Sequence, residues 1–221
     1  ISDFYFGCNE TILNIVVGIK LMLSNIASRL IIGVVKFGIE RAWDVATFGK
    51  VSLTLSVSKL FLLMINALGI VMFPILRRSS EEKLPEIYTS LRDILMVLLL
   101  GSLIAYYPLK LIISAWLPEY ADSLNYMGLL LPIIIFEGKM SLLINTYLKT
   151  LRKEKSILFV NVISFILSVI FTFLTIRVLK SLDLAIISIF ILLAIRCLIS
   201  EIILSKLLFV SVYKDIIMEF T

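Results

Sequence analysis

Seven charged residues lie within strongly hydrophobic stretches of this sequence, and they have the most potential for chemistry. They are Lys20, Arg29, Lys59, Glu137, Lys139, Arg196 and Glu201. A full charge at the depth of a lipid bilayer costs about 3 kcal/mol or more, so it normally faces a bundle interior or a water-filled cavity. Helix packing alone does not require such charges, which makes binding of a charged ligand a hypothesis for each of them.

Two consecutive hydrophobic stretches each place one cation among small polar residues. At about 100° per residue, one helical stripe of the first stretch holds Asn14, Gly18, Asn25, Ser28 and Arg29. The corresponding stripe of the second holds Ser52, Ser56, Lys59 and Asn66. The pattern predicts a shared cationic groove around Arg29 and Lys59, although small and amide residues also pack helices together in membranes.

Glu137 and Arg196 fall near the middles of the fourth and sixth stretches. Two interpretations are open: an internal ion pair that fixes one helix against the other, or a role in transport. Lys20 and Lys139 lie off the polar faces of their own helices and rank lower as site residues. On the fifth stretch a polar face without charge predicts helix packing only; it holds Asn161, Ser164, Ser168, Thr172 and Thr175.

The composition belongs to a membrane protein. Of the 221 residues 60% are hydrophobic and only 17% are charged, against roughly 45–50% and 25% in soluble domains. Histidine is absent, and Cys8 and Cys197 lie far apart in the sequence, so no metal site, cofactor or enzymatic activity is expected. The net charge of +5 comes from scattered basic residues, which does not favour nucleic-acid binding.

Length and hydropathy predict an all-α polytopic membrane protein with one bundle of about six transmembrane helices, forming a single domain over residues 1–221. The predicted spans are 11–35, 48–76, 94–117, 126–148, 157–179 and 184–210. Short connections require neighbouring helices to run antiparallel. Residues 79–88 predict a short helix on the membrane surface, and prolines in or beside the spans predict kinks: Pro74, Pro108, Pro118 and Pro132.

The basic residues of the connections predict the orientation. Ten lie on the side that carries both termini: Arg77, Arg78, Lys83, Arg92, Lys149, Arg152, Lys153, Lys155, Lys206 and Lys214. Six lie on the other: Lys36, Arg41, Lys50, Lys110, Arg177 and Lys180. Because positive charge accumulates on the cytoplasmic side, both termini are expected in the cytoplasm.

Two segments of the sequence have a distinctive order of features. In residues 21–78 a Gly-containing loop leads through Phe48-Gly49-Lys50 into a long helix that ends in a proline and basic residues. In the second segment, LLINTYLK at 142–149 precedes a basic turn and another long span. In these segments the chain resembles polysaccharide flippases of the O-antigen type, within the multidrug/oligosaccharidyl-lipid/polysaccharide exporter superfamily.

Such flippases usually contain two six-helix bundles around a cavity, and this chain supplies one. Because it begins with Ile1 rather than methionine and has a short polar tail after the last predicted span, it is expected to be the carboxyl-terminal half and to need the other bundle as its partner.

The resemblance implies transport of a polyprenyl-diphosphate-linked oligosaccharide across the cytoplasmic (inner) membrane, for O-antigen, lipopolysaccharide or other surface polysaccharide biosynthesis. Arg29 and Lys59 would contact the anion, with Asn25, Asn66 and Arg196 beside them. Glu137 would be a candidate for coupling to protons or cations. No cofactor is implied, and the partners are the lipid-linked substrate and membrane lipids.

Three other functions are compatible with the same pattern. A drug exporter of the same superfamily would prefer acidic residues facing an organic cation, whereas here the candidate cations outnumber the acids. A membrane enzyme that uses lipid-linked sugars generally needs a large outer loop or a cluster of acids. A six-helix subunit without transport of its own would use the charges only to specify helix pairing.

Overall fold

The computed structural model describes residues 2–116, 118 and 123–210. The described residues are almost entirely helical and contain no strand. The α-helices are α1 Ser2–Ala42, α2 Val45–Arg78, α3 Leu84–Leu103, α4 Tyr106–Trp116, α5 Ser123–Leu130, α6 Ile133–Gly138, α7 Asn145–Thr150, α8 Glu154–Phe173 and α9 Leu182–Leu208. A 3-10 turn covers Glu81–Lys83, and π-helical turns cover Lys139–Ile144 and Leu174–Val178.

Within the described residues, six helical spans are long and apolar enough to cross a membrane, which confirms the predicted all-α polytopic fold. The first to sixth spans are Glu10–Ala42, Val45–Arg78, Leu84–Trp116, Tyr126–Thr150, Glu154–Val178 and Leu182–Leu208. In a bilayer the backbone must satisfy its hydrogen bonds internally, and continuous helices do so. The sixth span was predicted to end at residue 210, two residues beyond the end of α9. The third span was predicted to end at Leu117, which lies outside the described residues.

The first connection is much shorter than predicted. Residues 36–47 were expected to form a loop, but α1 and α2 are separated only by Trp43 and Asp44. The Asp44 carboxylate caps α2 by accepting a hydrogen bond from the Thr47 backbone N–H at 3.2 Å. Hydropathy marks where lipid ends, whereas the helix continues until a cap stops it.

Residues 79–88 are not the separate surface helix that the sequence predicted. After the 3-10 turn, α3 begins at Leu84 with Pro85 in its first turn and runs into the third span. Proline is favoured there because the first backbone N–H groups of a helix have no intrahelical acceptor.

The predicted prolines differ in their effects. The third span breaks before Pro108, where the N–H groups of Ile104 and Ala105 bond back to Gly101 and Ser102 at 3.1 Å. Pro132 lies between α5 and α6. Pro74 lies inside the continuous α2, and Pro118 is described apart from any span.

The fourth and sixth spans form the centre of the bundle. In the most apolar stretch of the fourth span, 67% of the residues are buried, whereas in that of the second span only 6% are buried. The first span packs chiefly on α8 and the second on the fourth span, while α1 and α2 touch each other little. Apolar side chains such as Val71 and Val97 are exposed on the outer helices, as expected of a surface in contact with lipid.

Candidate functional site

A buried ion pair joins the fourth and sixth spans. Lys139 Nζ lies 2.7 Å from Glu201 Oε2, and the two side chains are 0% and 1% exposed. The second carboxylate oxygen of Glu201 accepts a hydrogen bond from the Tyr88 hydroxyl on α3 at 3.2 Å. Both charges are therefore neutralised within the bundle, and the contact connects three spans.

Aromatic packing holds Tyr88 in place. Its ring meets the ring of Tyr147 edge to face, with 5.4 Å between centroids. The Tyr147 hydroxyl donates to the Leu84 carbonyl at 3.3 Å, so the start of α3 is tied to α7. On the other side of the contact, Lys139 begins the π-helical turn Lys139–Ile144.

A second buried network is centred on Arg196 of the sixth span. Its Nη1 donates to Glu137 Oε1 at 2.8 Å, and its Nε donates to Asn161 Oδ1 at 2.8 Å. Asn161 Nδ2 in turn donates to the hydroxyl and the carbonyl of Ser24, at 2.6 and 3.2 Å. The chain of contacts joins the first, fourth, fifth and sixth spans.

The ion-pair interpretation of Glu137 and Arg196 is confirmed as a contact. Arg196 is 2% exposed and paired with Glu137, whereas Arg29 and Lys59 are exposed. Its predicted role in substrate binding stays a prediction. The Glu137 side chain is 20% exposed and is thus the most accessible of the four charges in the two pairs.

Sequence reasoning missed the pair of Lys139 and Glu201. A regular helical wheel placed Lys139 off the polar face of its helix. That wheel assumes about 100° per residue, which the π-helical turn beginning at Lys139 does not follow. The sequence did contain one indication of this pair, because Lys139 and Glu201 carry opposite charges within two different hydrophobic stretches.

The packing interpretation of the fifth span is supported by two contacts with α1. The Ser168 hydroxyl donates to the Ile31 carbonyl at 2.6 Å, and Asn161 donates to Ser24. Ser164 and Thr172 on the same face are buried, and their hydroxyls have no hydrogen-bond partner in the part of the chain that the structure describes.

The other predicted site residues lie on the outer faces of α1 and α2. Asn25, Arg29, Lys59 and Asn66 are all exposed. Asn66 accepts a hydrogen bond from the Ser141 hydroxyl. Over the described part of the chain, neither Arg29 nor Lys59 has an ion-pair or hydrogen-bond partner.

Lys36 adds a further cation to this surface. It lies on α1 within electrostatic range of Lys59 on α2, and its Nζ is 5.4 Å from the centroid of the Phe48 ring. The first two spans therefore bring Lys36 and Lys59 near each other, whereas the predicted approach of Arg29 to Lys59 stays a prediction. We call the face that carries Asn25, Arg29, Lys36, Lys59 and Asn66 the outer groove.

Apart from Lys20, the charged residues of the hydrophobic stretches thus fall into a neutralised interior and a basic outer groove. Among the described residues no group of three histidine, cysteine or acidic side chains is placed to hold a metal ion. The chain matches no protein-family profile, no curated protein and no solved structure. Its function is therefore inferred from its own geometry.

Proposed function

We propose that this protein is a membrane transporter, a flippase that moves a polyprenyl-diphosphate-linked oligosaccharide across the cytoplasmic membrane for surface polysaccharide synthesis. The observation that supports it is the outer groove. Arg29 and Lys59 are exposed near the middles of Glu10–Ala42 and Val45–Arg78. Since a charge facing hydrocarbon costs about 3 kcal/mol, this face lines a water-filled cavity.

The groove suits a diphosphate by its chemistry. A guanidinium and two ammonium groups can replace the water around phosphate oxygens while the diphosphate crosses an apolar layer. Asn25 and Asn66 add amide groups for sugar hydroxyls. The polyprenyl tail remains in the bilayer, in contact with the apolar outer surface.

The distribution of charge favours an anionic substrate over the organic cation of a drug exporter. The two acids in the middle of the spans, Glu137 and Glu201, each form an ion pair. The basic groups of the outer groove have no such neutralising partner among the described residues. A passing anion is thus attracted, whereas a passing cation is repelled.

Glu137 is the residue we assign to coupling. It is partly accessible and it holds Arg196, so protonation of its carboxylate would remove the ion pair between the fourth and sixth spans. A second six-helix bundle, facing the outer groove, would complete the cavity. Both termini would lie in the cytoplasm, in accord with the distribution of basic residues.

The test is complementation of a flippase-deficient bacterium that carries the cognate sugar-synthesis genes. The complete reading frame is expressed with Arg29→Ala or Lys59→Ala, and surface polysaccharide is scored at equal membrane abundance. We expect the parent to restore polysaccharide, either alanine variant to abolish it, and Arg29→Lys to retain part of it.

Lys155→Ala is the matched control, because Lys155 is an exposed cation beyond the outer groove and its loss should leave transport intact. Normal polysaccharide in both Arg29→Ala and Lys59→Ala would show that these cations do not contact the substrate. Failure of the parent itself would reject the flippase function.

A further inference from the structure

A second basic site lies at the opposite side of α1, where the first and fifth spans end. A cavity of about 680 Å³ opens between them. Val34, Val169 and Phe173 form its apolar wall, and Arg41, Arg177 and Lys180 line it as well. None of these residues belongs to the outer groove or to the two buried networks.

Three cations make the mouth of this cleft strongly basic. Arg41 is in the last turn of α1, with its guanidinium carbon 4.6 Å from the centroid of the Phe37 ring. Arg177 lies in the last π-helical turn of the fifth span, and Lys180 follows shortly after it. In the described ranges none of the three cations has an ion-pair partner.

The floor of the cleft is a close contact between the two spans. A Cβ added at Gly38 would lie 2.5 Å from Ile176 Cδ1 and 2.7 Å from Thr172 Cγ2. The absence of a side chain at Gly38 lets α1 approach the end of α8 there. The helices touch at this point, and the space beside it is the cavity.

We propose that this cleft binds the phosphate-bearing headgroup of an anionic lipid, whose hydrocarbon chains lie along the apolar wall. The cations stand at the ends of two spans, the depth at which lipid phosphates lie. Trp43 also lines the cleft, and tryptophan is favoured at the membrane interface. A free phosphate would use the cations but leave the apolar wall exposed, so the shape favours a lipid.

Fluorescence quenching tests the proposal directly, because the chain contains only two tryptophans. In a Trp116→Phe background the emission comes from Trp43 alone. The protein is placed in phosphatidylcholine bilayers, and phosphatidylglycerol with brominated chains is titrated in. We expect saturable quenching of Trp43, in excess of that given by brominated phosphatidylcholine at the same mole fraction.

The variant Arg177→Gln/Lys180→Gln should weaken the apparent affinity about 25-fold, since each basic side chain near an anionic lipid surface contributes roughly a fivefold preference. The matched control is Lys153→Gln/Lys155→Gln, which removes two exposed cations from the other end of the fifth span. It should leave the titration unchanged. Equal quenching by the two brominated lipids, or no change in Arg177→Gln/Lys180→Gln, would overturn the proposal.

Competition distinguishes the possible sources of the phosphate. Stronger displacement of the brominated lipid by unlabelled polyprenyl phosphate than by unlabelled phosphatidylglycerol would assign the cleft to a polyprenyl lipid, and the reverse order would assign it to membrane phospholipid. Displacement by inorganic phosphate would show a site for the free anion and reject the lipid. The site does not depend on what the bundle transports, so the complementation and the quenching experiments can fail separately.

Discussion

Basic side chains occur both in the interior of the bundle and on its outer groove, but their surroundings differ. Those in the interior are buried and paired with acids, whereas Arg29 and Lys59 are exposed. In the interior, Lys139 and Arg196 each lie within 2.8 Å of a carboxylate. On the outer groove, Arg29 and Lys59 are exposed and have no ion-pair partner among the described residues. The difference separates charges that specify the fold from charges that are available to a ligand.

The interior contacts supply specificity where apolar packing cannot. Lipid tails are as apolar as leucine, so burying leucine between two spans gains little from the hydrophobic effect. Hydrogen-bonded polar groups such as Asn161 and Tyr88 select which spans meet. The same explanation fails for Arg29 and Lys59, because they hold no other span in place.

The largest effect on stability is expected from breaking the buried pair. Glu201→Leu removes the carboxylate that lies 2.7 Å from the Lys139 ammonium, which is 0% exposed. The free energy of unfolding should fall by about 3–5 kcal/mol. Unfolding by sodium dodecyl sulfate in mixed micelles, followed by circular dichroism, measures it.

The double variant Lys139→Met/Glu201→Leu provides the control. It removes both charges and keeps similar volumes, so it should recover most of the lost stability. A double variant that loses the sum of the two single losses would show that the ion pair does not couple these positions.

Asn161→Ala should have the next largest effect. It removes the hydrogen bonds to Arg196 and Ser24 but leaves Arg196 paired with Glu137. We expect a loss of about 1–3 kcal/mol in the same unfolding measurement. Ser164→Ala is the matched control on the same face of α8, since the Ser164 hydroxyl has no hydrogen-bond partner among the described residues. A loss for Ser164→Ala as large as for Asn161→Ala would contradict the assigned network.

The number and type of the spans were predictable from sequence, but their interior contacts were not. Runs of about 20 apolar residues must form helices in lipid, and all six were found. The partner of Glu201 was not predictable, because Lys139 lies 62 residues away at the start of a π-helical turn. For Arg29 the stripe of small polar residues predicted a face that is either wet or buried, and the structure leaves Arg29 exposed.

A smaller effect is expected at Asp44, an exposed acid in the turn between α1 and α2. The hydrogen bond from Thr47 holds the pKa of Asp44 below its ordinary value of 3.8. A lowered pKa means that the charged carboxylate stabilises the folded state above pH 3.8, and this contribution is lost as the pH falls through the folded-state pKa.

Thermal unfolding of the parent and of Asp44→Ala at a series of pH values checks this sign. The parent should be the more stable at neutral pH, and the difference should shrink well below pH 3.8. A difference that grows on acidification would show that the cap does not depend on the charged carboxylate.

The smallest change in stability is expected at the outer groove. Arg29→Leu removes a cation near the middle of the first span. In a water-filled cavity the arginine is solvated, so the free energy of unfolding in bilayers should change by about 0.5 kcal/mol or less. If Arg29 faced hydrocarbon, the same substitution would stabilise the protein by about 3 kcal/mol.

Val97→Arg calibrates that measurement, since Val97 lies on α3 with 72% of its surface exposed and is assigned to the lipid-facing side. It should destabilise the protein by about 3 kcal/mol in the bilayer. A large loss for Val97→Arg together with no gain for Arg29→Leu places the two helix faces in different solvents. Equal and opposite changes would place both faces in lipid, and the cavity on which transport depends would be rejected without any assay of transport.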